Sequence, residues 1–375
     1  MKKLLVVLLV VLCAFPYADV RAEVQVSAKS AVVINAATGN ILFQKNANEK
    51  LPMASTTKIM TALILAEQPD LTKTIVTTAE MVTVEGSSMG LLPGDTVSFY
   101  ALLCGMLLAS GNDAANTTAI VLSGSIEKFA ELMNQKAKEI GMLNTNFVTP
   151  SGLDDENHYS TAYDMALLAK YALNNEKFAE VAASVSKTVS YGNPPYKRTL
   201  TNHNKLLKIY DGAVGVKTGF TKKSGRCLVS AAERDSGRII AVTLNAPDDW
   251  DDHTNMLNFG FSLLEPLKGG ELELKVVGST VDTVKVCYDA PEVALTQQEF
   301  ADIKTTFFMP RFVYGKVEKG STVGRYTIQC GGNIICEGEL KALEGCEMGI
   351  YNSVSNYEFF KVLERLFLFN KDYKR

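Results

Sequence analysis

Three short segments of this chain carry hydroxyl and amine groups at spacings that suit nucleophilic catalysis. They are Ser55-Thr-Thr-Lys58, Ser110-Gly-Asn112 and Lys217-Thr-Gly219, in this order along the chain. A serine hydroxyl is a poor nucleophile until a base removes its proton. Residues three apart on a helix share a face, so Ser55 and Lys58 can meet without tertiary help. Lys58 can be that base when burial or a second cation lowers its pKa, and Lys217 is the candidate cation.

The other two segments suit the binding of an acyl substrate. Ser110 lies between two apolar stretches, where a turn can present it for proton transfer and Asn112 for a hydrogen bond to a substrate amide. Lys217 and Thr218 are candidates to bind a substrate carboxylate, and Gly219 allows close backbone approach. Each segment alone also has an ordinary structural interpretation. Ser55–Lys58 can be a helix N-cap followed by a solvated lysine, Ser110–Asn112 a connector between helices, and Lys217–Gly219 the end of a strand. The three in this order favour an acyl-serine site.

The surrounding pattern predicts an α+β catalytic domain over residues 23–266, in which an antiparallel sheet is formed by both ends of the domain and helices are inserted between them. Breaks in the pattern set the element limits. Strands are predicted at Ala31–Ile34, Ile41–Phe43, Gly212–Thr218, Arg226–Glu233 and Arg238–Asn245, and helices near Ser55, over Phe99–Ala109, after Asn112, over Ile126–Ile140 and Thr161–Leu173, and from Asp251.

Both ends of the chain differ from this domain. Residues 1–22 combine two lysines, a short apolar run and small residues near Ala22, which predicts a secretory signal peptide and an exported protein. The breaker cluster Pro266–Gly270 precedes residues 271–350, whose short strands predict a small β-sandwich. Residues 356–375 predict an amphipathic helix. We expect it to attach the protein to the outer face of the cytoplasmic membrane; the alternative is a helix docked onto its own β-sandwich.

Composition excludes several other classes of protein. The 375 residues include 47% hydrophobic and 21% charged residues with a formal net charge of −3, so nothing indicates a nucleic-acid partner. No segment after the leader approaches the ~18 apolar residues of a membrane span. Six cysteines remain after the leader, and buried thiols are favoured over disulfides. His158, His203 and His253 are far apart in sequence and no Cys-x-x-Cys occurs, so neither a metal nor another cofactor is predicted.

Together the three segments match the motifs of serine β-lactamases and penicillin-binding proteins. The chain resembles the low-molecular-weight D-alanyl-D-alanine carboxypeptidases, serine peptidases that trim peptidoglycan stems, and this implies a β-lactamase/transpeptidase-like catalytic domain. Glu156–Asp164 and Asn245–His253 are most similar to Gram-positive members, including spore-associated ones. The resemblance covers the whole mature chain, and its blocks are Pro52–Thr61, Ser110–Ala115, Gly152–Asp154, Tyr159–Ser160, Asp164–Ala166 and Lys217–Thr221.

The resemblance also implies a reaction. Ser55 attacks the carbonyl of the penultimate D-alanine of a pentapeptide stem, and Lys58 takes its proton. Ser110 and Lys217 relay a proton to the leaving amine, and water then hydrolyses the acyl-enzyme. β-Lactam antibiotics such as penicillin acylate the same serine. The implied substrate-binding residues are Asn112 for the amide, Lys217 and Thr218 for the terminal carboxylate, and Gly219 and Phe220 beside the oxyanion hole, which uses the N–H groups of Ser55 and Phe220.

Two departures from related sequences matter. Some relatives carry an arginine for the carboxylate where Asn202–Leu207 has His203, so we expect Lys217 and Thr218, or Lys205, to do more of this binding. The Glu-x-x-Leu-Asn element of class A β-lactamases is absent; Glu139–Asn144 has one residue too many. A class A-like β-lactamase and a catalytically silent wall-binding protein are the alternative functions.

Overall fold

The structure is a computed structural model that describes residues 24–235, 237–290, 293–349, 361–363 and 365. The predicted signal peptide, residues 1–22, lies outside these residues, as does most of the predicted tail helix, 356–375. Residues 361–363 and 365 are helical. Within the described ranges, no helix has the length and apolar character needed to cross a membrane.

A five-stranded antiparallel sheet forms the centre of the first part of the chain. Its N-terminal hairpin is β1 (Ser30–Asn35) and β2 (Ile41–Lys45), and its other strands are β7 (Ala213–Thr221), β8 (Gly225–Arg234) and β9 (Gly237–Leu244). The order is β2-β1-β9-β8-β7, so the two ends of the domain meet where β1 pairs with β9. The predicted sheet is therefore present, and β7 lies at one of its edges.

Helices cover both faces of this sheet, which explains why all six residues of β1 are buried. The C-terminal helix of the domain packs on one face and the inserted helices pack on the other. Local signals set their ends: the Ser125 and Thr161 side chains accept hydrogen bonds from Lys128 and Asp164 N–H groups, as helix caps do. The helices are α1 (Lys58–Ala66), α2 (Ala79–Val82), α3 (Phe99–Leu107), α4 (Asn112–Ser123), α5 (Ile126–Ile140), α6 (Ala162–Ala172), α7 (Glu176–Ala182), α8 (Leu206–Ile209) and α9 (Asp249–Ser262).

A second, smaller sheet in this domain was absent from the prediction. Its order is β3-β4-β5-β6, and it is formed by β3 (Thr74–Val76), β4 (Thr96–Ser98), β5 (Ser186–Gly192) and β6 (Pro195–Thr201). β3 and β4 have three residues each and β6 is mostly exposed, so these three strands lack the apolar alternation by which a strand is predicted. In β5 only Val189 and Tyr191 are apolar and buried at alternate positions.

The remaining chain is β-rich and has its own apolar core. A two-stranded ladder pairs β10 (Glu265–Pro266) with β13 (Ala294–Leu295), and a six-stranded sheet has the order β14-β16-β17-β12-β11-β15. Cys330 pairs with Asn333 and Cys336 with Ile328, so this hairpin does not bring the two thiols together, and the six cysteines of the described chain are free. The other elements are β11 (Gly270–Val277), β12 (Thr283–Tyr288), α10 (Gln297–Ala301), β14 (Ile303–Phe308), β15 (Val313–Tyr314), β16 (Thr322–Cys330) and β17 (Asn333–Ala342).

Candidate active site

Ser55 lies in a one-turn 3-10 helix, Ala54–Thr57, that continues directly into α1. Ala54 has φ +49°, a left-handed conformation that costs a residue with a side chain on the order of 1–2 kcal/mol. Such strain persists only where the surroundings determine it, and both Met53 and Ala54 are buried. The turn therefore fixes the backbone immediately before the candidate nucleophile.

Lys58 is fully buried beneath Ser55. Its Nζ lies 2.9 Å from Ser55 Oγ and donates a 2.7 Å hydrogen bond to the Ser151 carbonyl. Burial lowers the pKa of Lys58 well below its ordinary value, the charge of Lys217 lowers it further, and Asp113 opposes both effects. The interpretation of this lysine as a solvated surface residue is therefore wrong. A neutral amine at this distance can accept the serine proton.

Ser110 and Lys217 form a second hydroxyl–amine pair. Ser110 has φ +58° in the turn between α3 and α4, and it is buried. Lys217 Nζ donates to Ser110 Oγ at 3.0 Å and to the Thr218 carbonyl at 2.9 Å. Burial lowers the pKa of Lys217 to about 7. This pair can hold or release a proton near neutral pH.

Asn112 is buried at the start of α4, and only one side of its amide has a hydrogen-bond partner. Its Nδ2 donates to the Glu85 carbonyl at 2.7 Å, whereas its Oδ1 has no hydrogen-bond partner among the described residues. A buried acceptor without a partner is costly in a folded protein. A substrate N–H would satisfy it.

The Lys217–Gly219 segment lies within β7, which continues to Thr221, rather than at the strand end that the sequence predicts. A Cβ at Gly219 would lie 3.0 Å from the Ser55 nitrogen and equally close to Met53 O and Thr56 N, so glycine lets this edge strand pack against the 3-10 helix. The neighbouring Phe220 side chain is 65% exposed.

One cleft of about 370 Å³ is lined by five of the candidate residues, Ser55, Ser110, Thr218, Gly219 and Phe220, whereas the buried Lys58, Asn112 and Lys217 are not among its lining residues. His203 lies on its wall; burial and then the charge of Lys217 lower the pKa of this imidazole. No group of three or more His, Cys, Asp or Glu side chains in the described ranges could hold a metal ion. The lining residues are Ser55, Ser87, Ser110, His203, Lys205, Thr218, Gly219, Phe220, Arg226, Asp249 and Trp250.

Two supporting residues were missed by sequence analysis. Asp113 is fully buried and accepts hydrogen bonds from the N–H groups of Met89, Gly90 and Leu91, which fastens this loop beside Asn112. His158 joins the loop that supplies the Ser151 carbonyl to the helix that carries Ser55. The position of Asp113, directly after the Ser110–Asn112 segment, was the only signal available for it.

Comparison with known proteins gives the family of the chain. Residues 18–248 match the peptidase S11 family model, described as D-alanyl-D-alanine carboxypeptidase. The chain belongs to the D-alanyl-D-alanine carboxypeptidase family. DacF of Bacillus subtilis is 35% identical over 337 residues, 86% of each chain. DacC of Escherichia coli is 34% identical over 349 residues, 86% of this chain and 85% of the relative.

A solved structure supports the fold. The DD-transpeptidase of Streptomyces K15 superposes with a TM-score of 0.61 at 31% identity, over 64% of this chain and 98% of that one. The predicted family, its serine-type D-Ala-D-Ala carboxypeptidase activity and the α+β, transpeptidase-like fold are thereby confirmed.

Proposed function

We propose that this cleft removes the terminal D-alanine from the pentapeptide stems of peptidoglycan, with Ser55 as the nucleophile and Lys58 as its base. The observation that carries the proposal is the buried amine of Lys58, 2.9 Å from the Ser55 hydroxyl and with a lowered pKa. A base of this kind activates a serine without the histidine that other serine peptidases use.

The two hydroxyl–amine pairs support a balanced acyl transfer. Ser55 Oγ bonds to the carbonyl carbon of the penultimate D-alanine while its proton passes to Lys58, and the N–H groups of Ser55 and Phe220 stabilise the oxyanion. As the C–N bond breaks, Ser110 passes a proton to the leaving nitrogen, and Lys217 replaces it. Lys58 then gives up the proton that it took from Ser55 and Lys217 regains one, which restores a neutral Lys58 beside a charged Lys217. In deacylation Lys58 takes a proton from the attacking water and returns it to Ser55 Oγ as the ester bond breaks, which releases the shortened stem.

Substrate binding follows from the edge position of β7. The outer backbone groups of an edge strand can pair with an extended peptide. Asn112 Oδ1 accepts from an amide N–H of the stem, and Lys217 and Thr218 bind the terminal carboxylate. A β-lactam offers the same acyl carbon and carboxylate, so it acylates Ser55.

The alternatives predict different reactions. A class A-like β-lactamase needs a residue that activates the deacylating water, and the sequence lacks the Glu-x-x-Leu-Asn element that supplies it. A silent wall-binding protein has no need for two buried lysines whose pKa is lowered by burial.

The location of this reaction is part of the same proposal. Signal-peptide features in residues 1–22 support export, and the amphipathic pattern of residues 356–375 supports peripheral attachment to the outer face of the cytoplasmic membrane. Sedimentation of the full chain with anionic vesicles, compared with a chain ending at residue 350, tests the attachment.

One experiment separates these functions. Wild type and Ser55→Ala are incubated with a peptide ending in D-Ala-D-Ala, with labelled penicillin and with a chromogenic cephalosporin. We expect D-alanine release and covalent labelling by wild type only, with slow cephalosporin turnover. Fast cephalosporin turnover would instead support the β-lactamase, and a folded protein without labelling or D-alanine release would support the silent protein.

A further inference from the structure

The loop 150–154 packs directly against the 3-10 helix that carries the nucleophile. Gly152 has φ +86°, and a Cβ at this position would lie 1.9 Å from the Ala54 carbonyl oxygen, so glycine is required for this approach. The neighbouring Ser151 carbonyl accepts the hydrogen bond from Lys58. The loop therefore contacts both the backbone before the nucleophile and the amine that activates it.

Strand β7 makes the second close contact with the same 3-10 helix. Its backbone at Gly219 packs against the Ser55 nitrogen, where a Cβ would lie only 3.0 Å away. The two N–H groups that we assign to the oxyanion hole thus belong to separate segments, that of Ser55 to the 3-10 helix and that of Phe220 to β7. Their spacing depends on how these two segments are held together.

A hydrogen bond between Thr221 and Asp154 joins β7 to the loop. Thr221 directly follows Phe220, and its Oγ1 donates to Asp154 Oδ1 at 2.8 Å. The Ser224 N–H donates to the same Thr221 oxygen at 3.0 Å, and Ser224 Oγ accepts from the Thr221 N–H at 3.0 Å. Because the turn after β7 gives the hydroxyl a donor, its single proton is directed at the carboxylate, which makes the bond charge-assisted.

The Thr221–Asp154 bond is poorly placed to stabilise the fold. Asp154 is exposed, and within the described ranges it accepts no other hydrogen bond and forms no salt bridge. An exposed pair of this kind contributes little to the free energy of unfolding. It is distinguished by its position, one residue from Phe220 along β7 and two residues from Gly152 along the loop. The bond thereby closes a ring made of the 3-10 helix, the loop and β7.

We propose that Asp154 is a positioning residue: through Thr221 it holds β7 at the distance at which the N–H groups of Ser55 and Phe220 reach the same oxyanion. This inference rests on the proposed function and deepens it. An oxyanion hole acts only while its donors lie about 2.7–3.1 Å from the developing charge, and loss of a whole donor costs about 10²- to 10³-fold in rate. Loosening one donor should cost less.

The first test compares two substitutions of Asp154. Asp154→Ala removes the acceptor, and we expect it to lower kcat/KM for D-alanine release and the rate of acylation by benzylpenicillin by about tenfold each. Asp154→Asn keeps an acceptor oxygen and should restore both rates to within about twofold of wild type. Glu156→Ala removes an exposed carboxylate of the same loop that has no hydrogen bond or salt bridge among the described residues, so it is the matched control. The urea midpoint of each variant should stay at the wild-type value.

Two further readouts distinguish this role from general loosening of the loop. Thr221→Val removes the donor, and adding Asp154→Ala to it should slow acylation no further, because both changes break one bond. The infrared band of the ester carbonyl in penicilloyl-Ser55 reports the hydrogen bonds of the oxyanion hole. Its frequency should rise in Asp154→Ala, as these bonds weaken, and stay at the wild-type value in Asp154→Asn.

The outcomes separate this inference from the proposed function. A folded Asp154→Ala protein with the wild-type acylation rate and carbonyl frequency would overturn the positioning role, and so would additive losses in the double variant. A wild type that is acylated but releases no D-alanine would overturn the peptidase function, while an acylation rate that depends on Asp154 would still support the positioning role. A folded wild type that penicillin does not acylate would overturn both.

Discussion

The two buried lysines of the cleft have different partners, and this difference assigns them different tasks. Lys58 contacts the hydroxyl of Ser55, whereas Lys217 contacts Ser110 and the Thr218 carbonyl. Lys58→Met keeps the length of the side chain and removes the base. We expect acylation by penicillin to slow by about 10²- to 10⁴-fold. Lys128→Met, at an exposed site on α5, is the control. Acylation of Lys58→Met at the wild-type rate would exclude Lys58 as the base.

The same pair predicts a bell-shaped pH profile. Lys58 must be neutral to accept a proton, so kcat/KM falls when the pH drops below its lowered pKa. Lys217 must be charged to bind a carboxylate, so kcat/KM also falls as the pH rises above about 7. Because the two amines interact, the observed pKa values belong to the pair. The test is to measure kcat/KM from pH 5 to 10 on a peptide that ends in D-Ala-D-Ala. Lys217→Arg stays charged, so it should lose the decline at alkaline pH and keep the decline at acid pH.

At the scale of elements, His158 joins the helix of the nucleophile to the loop behind it. Its Nδ1 accepts from the Val148 N–H at 2.9 Å, so Nε2 carries the proton and donates to Thr57 Oγ1 at 2.8 Å. The next residues of this loop, Pro150 and Ser151, supply carbonyl oxygens to Thr61 and Lys58. Burial lowers the pKa of His158 to about 4, against a smaller opposing effect of Asp155 and Asp154. The neutral imidazole is therefore part of the folded state.

The buried neutral imidazole of His158 predicts that the protein loses stability in mild acid. The folded pKa lies below the ordinary value of 6.5, so the contribution of neutral His158 is complete above pH 6.5 and declines as the pH falls toward 4. His253, whose pKa burial lowers to about 3, adds to the same trend. In His158→Phe the free energy of unfolding should be lower by about 2–3 kcal/mol at pH 7 and should depend less on pH. Urea titrations at pH 4.5 and 7 measure both, with Asn157→Ala, at the exposed preceding position, as control. A wild-type pH dependence retained in full by His158→Phe would contradict this account.

The same elements show how far sequence carries the interpretation. The contact of Ser55 with Lys58 is local, so the spacing of three residues on a helix predicts it. The approach of Lys217 to Ser110 spans 107 positions and was expected only through family resemblance. Nothing local signals the contact of His158 with Thr57, 101 positions apart, or the grouping of Lys205, Arg226 and Trp250. Periodicity likewise finds the long buried elements and misses β3 and β4, which are too short to show a period.

At the scale of the whole molecule, one buried carboxylate connects the β-rich region to the central sheet. Glu299, in α10, accepts hydrogen bonds from Asn35, Thr38 and Asn40 at the β1–β2 turn. The Asn35 side chain also donates to the Ala294 carbonyl. Burial alone raises the pKa of Glu299, but hydrogen bonds from Thr296, Thr38, Asn40 and Asn35 outweigh it and lower the pKa below its ordinary value. The ionised carboxylate is therefore the stable form in this contact.

Glu299→Gln keeps the size of this side chain and replaces one acceptor oxygen with a donor that faces other donors. We expect the free energy of unfolding to fall by about 1–3 kcal/mol at neutral pH. A carboxylate whose pKa is lowered by folding stabilises the folded protein above its unfolded pKa and loses this effect as the pH falls through its folded pKa. The difference in free energy of unfolding between Glu299→Gln and wild type should therefore shrink in acid. Urea titrations at pH 7 and pH 3.5 measure this, with Gln298→Ala, at the exposed neighbouring position, as control.

Because β2 and β7 lie at opposite edges of the sheet, D-alanine release per folded molecule should stay at the wild-type level. A loss of activity without a loss of stability would mean that this contact acts on the cleft rather than on the docking of the two regions.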